Sequence, residues 1–358
     1  MDISEPIISS SSNRISIVRI AFVVTAQTHE GPLKVVKSLI EGLTERRHEC
    51  TLLYLEEREE IVLPCRKQKV GYRHQPDLSQ YDIVHSHGMK PDFWVWLYLV
   101  RNSRRRSKTR FISTYHSFIF EDFRWKYGYV GGWLLAHLFL TFTNRHDKIV
   151  VLSDVAKAYY SQWVPQEKLF RCYHGLPMPQ RAEHREPDES GDIIVGMCCP
   201  LERIKGVDVL LAAMEYMPKN YRLLVVGDGS QRQQLERSAM SGKRVTFVGD
   251  VLNPKDYYQQ MDVFVVASYS EGFCLSLLEA AQMGMSVVCS DIPGMREKFS
   301  EEEVTYFKTG DARDLARAVV EAQGTPKGER AREKALTFSV ERMCESHERV
   351  YGGIVSHR

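Results

Sequence analysis

Ser270-Glu271-Gly272-Phe273-Cys274-Leu275-Ser276-Leu277-Leu278-Glu279-Ala280 is the stretch from which the fold of this 358-residue chain can be read. Before it stands Asp262-Val263-Phe264-Val265-Val266, a short β-branched run of strand type. After it, residues 275–283 form an apolar run of helical type. A strand feeding a helix through a short glycine-containing loop is the unit of a parallel α/β sheet, whose ligands bind beyond the carboxyl ends of the strands. The backbone N–H groups of Phe273, Cys274 and Leu275 open the helix, where an anion such as a phosphate is favoured. Glu279 is a charge set among apolar neighbours and needs hydrogen-bond donors to remain there. Two readings supply them: a structural Lys or Arg, or the hydroxyls of a bound sugar. Glu271 is likewise either a helix-start acid or a ligand-binding carboxylate.

Working outward, the same alternation recurs on both sides. In the second half it runs through strand-type segments 192–196, 222–226, 244–248, 262–266 and 286–290, with helical segments 231–240, 254–261 and 275–283 between them. In the first half, residues 15–25 read as a strand, a loop ends in Glu30-Gly31-Pro32, and apolar residues at 33, 35, 36, 39, 40 and 43 predict a helix. Strands follow at 50–55, 81–88, 110–114 and 147–153. Residues 178–191 are Pro-rich, charged and without apolar periodicity, which marks a linker. The expectation is an α/β protein of two doubly wound, Rossmann-like domains, 14–177 and 192–335, facing a central cleft. Residues 1–13 are expected to be a disordered leader, and 336–358 a helix that returns to the first domain.

Composition limits the function. A formal net charge of +2 gives no case for a nucleic-acid partner. The eight cysteines have no C-x-x-C spacing, and Cys198 and Cys199 are adjacent, so free thiols in a reducing, cytoplasmic compartment are expected. The missing G-x-G-x-x-G argues against a dinucleotide site and hence a dehydrogenase. Residues 127–143 are almost wholly apolar but short for a membrane span, and a buried helix is the expectation. Trp94, Trp96, Tyr98, Trp125 and Trp133, with Arg101, Arg104, Arg105, Arg106, Lys108 and Arg110, suit a surface resting on anionic lipid; a solvated helix end is the alternative. His85 and His87 read as structural hydrogen-bonding groups, whereas His116, just past a strand's carboxyl end, is placed for the cleft.

Ser-Glu-Gly-Phe at 270–273, Leu-Leu-Glu-Ala at 277–280 and Asp291-Ile-Pro-Gly-Met-Arg-Glu together resemble the donor-site signature of glycosyltransferase family 4, in which seven residues separate the two glutamates, as they do here. The resemblance extends over most of the chain and is weaker in the first half. It implies the two-domain GT-B architecture and a retaining transfer of a sugar from a nucleotide diphosphate, UDP- or GDP-linked, to a glycan or lipid-linked acceptor hydroxyl. The resemblance is to enzymes of bacterial surface polysaccharide and lipopolysaccharide biosynthesis, which places the protein in the cytoplasm or on the inner face of the inner membrane. It also implies roles. Glu279 would hold the ribose, and Glu271 a sugar hydroxyl. His116 would stand beside the transferred sugar. Gly31, Lys205 and residues 272–275 would take the phosphates, while Gly249 and Val251 would border the base. No cofactor is implied, and no D-x-D stands at a likely donor strand to call for a metal.

Three positions depart from the pattern. The family's arginine five residues before the lysine is Pro200 here, with Arg203 as the expected substitute. Cys274 stands where glycine is usual, and His174 where asparagine is usual. A sugar-nucleotide epimerase of the same architecture and a catalytically inactive scaffold are the alternatives.

Overall fold

The structure is a computed structural model and describes residues 17–27, 31–58, 61–103, 108–178, 191–239 and 244–355. Two wholly parallel sheets organise it. The first holds β1 (Arg19–Ala26), β2 (Glu49–Glu56), β3 (Arg66–Lys69), β4 (Ile83–His87), β5 (Arg110–Tyr115), β6 (Lys148–Val151) and β7 (Leu169–Arg171), in the order β3-β2-β1-β4-β5-β6-β7. The second holds β8 (Ile193–Cys198), β9 (Tyr221–Val226), β10 (Val245–Gly249), β11 (Val263–Val266), β12 (Ser286–Ser290) and β13 (Thr305–Phe307), in the order β10-β9-β8-β11-β12-β13. In each sheet the winding reverses beside the first strand, between β1 and β4 and between β8 and β11. These are the switch points where an open α/β sheet leaves a crevice.

The chemistry of the strands explains why they lie centrally. β1 and β11 are runs of Val, Ile, Phe and Ala whose side chains are buried on both faces, as parallel strands covered by helices require. The helix Gly31–Glu45 covers the first sheet with Leu33, Val35, Val36, Leu39, Ile40 and Leu43, the apolar set that the helical spacing picks out. Strands β3 and β7 escape the sequence reading because they are edge strands: β3 is Arg-Lys-Gln-Lys, with no apolar residue to report its place.

The helix Ile119–Thr143 corrects one expectation. It is longer than the apolar run at 127–143 and bends at Gly128, whose φ of 75° lies in the left-handed region. It is also not a buried helix: Tyr129 is 74% exposed, and Val130, Trp133, Leu134 and Leu138 are exposed with it. Its covered side consists of Gly132, Ala136, Phe139 and Phe142.

The chain's last helix, Val340–Val355, packs against the helix Gly31–Glu45 of the first domain. The approach is close: a Cβ on Gly42 would stand 2.6 Å from Cys344 Sγ. His48 Nε2 lies 3.1 Å from Glu348 Oε1, and the hydroxyl of Tyr351 lies 2.8 Å from His85 Nδ1. The crossover runs beside Gly175, where a Cβ would meet the Ser339 carbonyl oxygen at 2.0 Å. The two sheets therefore face one another across a cleft closed at one end by backbone contact.

Candidate active site

The cleft has a volume of about 750 Å³ and is lined from both domains. Gly31, Lys34, His116, Lys126 and His174 come from the first, and Cys199, Pro200, Lys205, Asp250, Val251 and residues 273–276 from the second, with Glu271 and Glu279. Switch-point geometry brings these residues together from distant parts of the chain. β11 delivers the 267–274 loop, and β4 and β5 deliver His87 and His116.

Glu271 is fixed on the second-domain side. Lys205 Nζ and Ser268 Oγ each donate to its Oε1 at 2.7 Å. Burial opposes the charge of Lys205, but the adjoining Glu271 carboxylate outweighs it, and the ammonium is held above its ordinary range. Lys205 is thus a charged ammonium at neutral pH. Gly272 allows this loop to touch the opposite wall: a Cβ there would lie 2.0 Å from the carbonyl oxygen of His116. Here only glycine fits, for reasons of space.

Glu279 lies on the helix Leu275–Gln282, buried and doubly held. Tyr258 donates its hydroxyl to Oε2 at 3.0 Å, and Lys34, from the helix Gly31–Glu45 of the other domain, pairs with Oε1. Of the two readings open for this carboxylate, the lysine partner is present, and the pair bridges the domains at the cleft's edge. Lys34 stands at the start of its helix, three residues after Gly31; the sequence reading passed over it because a lysine at a helix start is common.

The first-domain wall is made of imidazoles. His85 is fully buried between Tyr351 and Thr114 Oγ1, at 2.8 and 2.7 Å, the structural role read for it. His87 Nδ1 lies 3.1 Å from His116 Nε2. His174 lies beside His116, the ring centroids 5.4 Å apart. Burial pushes His116 down to about 4 and holds His87 and His174 well below the ordinary imidazole range. These imidazoles are neutral at physiological pH, whereas Lys205 on the opposite wall is charged.

Among the expected phosphate ligands, Gly31, Lys205 and residues 273–275 line the cleft. Arg203 does not; it is exposed at the surface of the short 3-10 turn Arg203–Lys205, so the structure does not place it as the substitute for the missing arginine. The additional cations on the cleft are Lys34 and Lys126, both from the first domain. Lys126 belongs to the helix Ile119–Thr143, next to Trp125, whose ring stacks on Tyr269 of the second domain with centroids 4.9 Å apart. From the same helix Asp122 faces Lys205 and Glu271, burial raising its carboxyl pKa. Gly249 ends β10 with a φ of 94° and is not itself lining, whereas Val251 is. Cys274 caps the donor helix with a φ of 41°, a left-handed conformation that explains why glycine suits the position.

Comparison with known proteins agrees with this geometry. Residues 31–178 match the profile of Glycosyltransferase Family 4, and residues 192–323 that of Glycosyl transferases group 1. The O-antigen biosynthesis glycosyltransferase WclY of Escherichia coli is 30% identical over 306 residues, covering 81% of this chain and 84% of its own. A second WclY sequence from Escherichia coli is 31% identical with the same coverage. Among solved structures, sucrose-phosphate synthase from Thermosynechococcus elongatus superposes with a TM-score of 0.77 at 20% identity, over 95% of this chain and 100% of its own. Anabaena Alr3699/HepE, in complex with UDP and glucose, superposes at 0.76 and 15% identity, over 94% and 99%. These likenesses place the fold as GT-B, and the sequence relatives place the chain: it belongs to the family 4 glycosyltransferases, and it is a glycosyltransferase.

Proposed function

We propose that this protein is a retaining glycosyltransferase that moves a hexose from a UDP- or GDP-linked donor to a hydroxyl of a growing, lipid-linked glycan in bacterial surface polysaccharide assembly. The observation that carries the reading is the Lys205–Glu271 pair, placed just before the helix Leu275–Gln282 opens, with Glu279 about one turn into that helix. The diphosphate draws Lys205 away from Glu271, so the leaving charge finds a preformed cation and Glu271 is freed to accept from a sugar hydroxyl. Lys126 brings first-domain charge to the phosphates in the absence of an arginine at Pro200. These side chains and the amides of residues 273–275 take the charge without a metal. Glu279 exchanges its Lys34 contact for the ribose hydroxyls. The acceptor oxygen attacks the anomeric carbon on the face from which the diphosphate leaves, and the acceptor proton passes to the departing phosphate oxygen. One C–O bond forms as another breaks, and the configuration is kept.

The acceptor reading draws on the names of the relatives and on the exposed face of the helix Ile119–Thr143. Tyr129, Trp133, Leu134 and Leu138 are exposed there beside Arg124 and Lys126, an aromatic and basic surface that fits an anionic membrane. Arg104, Arg105 and Arg106 lie outside the described residues, so this helix carries the reading in their place. No helix among the described residues is long and apolar enough to cross a membrane. Contact at the surface, on the cytoplasmic face, is what the proposal requires.

The test is transfer by the purified protein from a panel of UDP- and GDP-sugars to extracted lipid-linked glycan, with the anomeric configuration of the product read by NMR. Transfer with retention is the expected result; inversion, or hydrolysis and epimerisation alone, overturns the proposal. Repeating the assay with anionic and neutral vesicles examines the membrane component. Sedimentation with anionic vesicles alone, released by salt, is expected. Equal sedimentation of a Trp133→Ser, Leu134→Ser, Leu138→Ser variant excludes this helix as the contact.

A further inference from the structure

The hydrogen bond between His87 and His116 does more than hold two rings in place. Both side chains are neutral at physiological pH, because burial opposes their protonation. Two neutral imidazoles sharing one hydrogen bond, Nδ1 of His87 to Nε2 of His116 at 3.1 Å, have one proton between those nitrogens. The remaining atoms determine which ring owns it.

If His116 owned it, His87 would accept at Nδ1 and carry its own proton on Nε2. That nitrogen is buried and has no hydrogen-bond partner. The result would be an orphaned N–H inside the protein, the rarest kind of unsatisfied group. If His87 owns it, the orphaned atom is a bare lone pair, which is better tolerated. His85, whose ring centroid is 4.3 Å from that of His87, offers no relief, since both its nitrogens are occupied by Tyr351 and Thr114. The proton therefore sits on His87 Nδ1.

We infer that His87 is a positioning residue: by donating to Nε2 it compels His116 to carry its proton on Nδ1, the nitrogen left for the cleft that His116 lines. His116 then meets the transferred sugar as an N–H donor and selects an oxygen with a free lone pair at that point. The backbone supports the arrangement. His87 ends β4, its register partner on β5 is Thr114, and His116 follows two residues later. The His116 carbonyl is packed against Gly272, which fixes the backbone that carries the ring. This inference rests on the glycosyltransferase reading only for the identity of the sugar; the tautomer itself does not depend on it.

The test has a spectroscopic and a kinetic part. In histidine-15N-labelled protein, with His116 assigned by its loss in His116→Gln, long-range correlation spectra should show a protonated Nδ1 and a bare Nε2. The reverse assignment overturns the inference. In kinetics, with the donor that supports turnover in the panel above, His87→Phe should lower kcat/KM about tenfold, the loss of one directed hydrogen bond. His87→Asn, whose amide N–H takes the place of Nδ1–H, should recover to within about threefold of the parent. UDP affinity serves as the control for an intact fold and should stay unchanged in both variants. Equal loss in the Phe and Asn variants, with UDP binding intact, means that His87 only packs, and the inference fails. If no donor in the panel is turned over, it is the glycosyltransferase reading that fails, and the spectrum still decides the tautomer.

Discussion

The two walls of the cleft solve the same problem in opposite ways. On the second-domain wall, Lys205 is kept as a cation, because the Glu271 carboxylate beside it outweighs its burial. On the first-domain wall, His116 and His174 are neutral rings, with His85 and His87 buried beside them, because burial opposes their protonation. The difference follows the ligand each wall would meet. A diphosphate leaving group gathers charge and needs a cation already in position, since preorganised charge costs no reorganisation during reaction. A sugar hydroxyl needs directed donors and acceptors, which an imidazole supplies without attracting the phosphate.

The largest expected effect comes from breaking the charged wall. Lys205→Ala removes the cation and leaves Glu271, half-buried, with Ser268 as its remaining partner among the described residues. Turnover should fall about 10²–10³-fold, or about 3–4 kcal/mol of barrier, as for loss of one preorganised charge donor. Lys205→Met, similar in length and uncharged, should be equally impaired. If either variant retains more than a tenth of the activity, the diphosphate is held elsewhere, and Lys126→Met becomes the informative variant.

Glu279→Ala comes next. It should weaken UDP binding by about 1–3 kcal/mol, the range for a lost hydrogen bond to a charged group. Because Lys34 is the other partner, a Lys34→Met variant separates the roles: if the carboxylate serves the ribose, Lys34→Met keeps most of the UDP affinity. Should both variants leave the dissociation constant unchanged by calorimetry, Glu279 and Lys34 are an interdomain strut and no more.

The neutral wall predicts a pH dependence of stability. Burial pushes His116 and His347 down to about 4 and His146 to about 3, all below the ordinary value near 6.5. Between those limits the unfolded chain binds protons that the folded chain refuses, so stability is complete above about 6.5 and is lost as the pH falls. Asp92, pushed up to about 7 by burial beside Ser86, has the opposite sign: its contribution is lost as the pH rises towards 7. One carboxyl against several imidazoles leaves the net slope with the histidines. Each fully refused proton is worth about 1.4 kcal/mol per pH unit, and well below 6.5 the slope approaches that value for each imidazole. The melting temperature should therefore fall steadily between pH 6.5 and 5. A flat profile would mean that the imidazoles are reached by water and titrate normally.

The same contrast governs what could be read from the chain alone. The donor side was legible because its strands, β8, β9, β11 and β12, are continuous apolar runs and its carboxylates stand out inside one short stretch. The acceptor side was only partly legible, since its histidines are contributed by β4, β5 and the crossover near Gly175, and only the fold sets them side by side. The exposed face of Ile119–Thr143 was read as buried because apolar content reports a helix but not which side of it is covered. Lys34 and Lys126 carry no signal in one dimension; a lysine on a helix is ordinary until the opposite domain is set against it. Arg203 is the reverse case: its closeness along the chain to Lys205 suggests a shared site, whereas in the structure its side chain is exposed and does not line the cleft.

The smallest effect, and the finest probe of the boundary between the walls, is at Cys274. It holds a left-handed conformation, φ 41° and ψ 80°, at the residue that caps the helix Leu275–Gln282, and a non-glycine residue is disfavoured there by about 1 kcal/mol. Its thiol is inert: burial pushes it up to about 12, so the thiolate is not populated at neutral pH. Replacement by glycine relieves the backbone but loosens the unfolded chain and gives up the packing of the sulfur, terms of similar size and opposite sign. Cys274→Gly should accordingly change stability by less than about 1 kcal/mol in either direction. Its visible effect belongs to the pocket, since Cys274 lines the cleft beside Glu271. Removing the sulfur should broaden the range of nucleotide sugars accepted in the panel, while the affinity for UDP alone stays as it was. An unchanged sugar profile would mean that the thiol does not border the transferred sugar, and that the cysteine is tolerated at this cap rather than used by it.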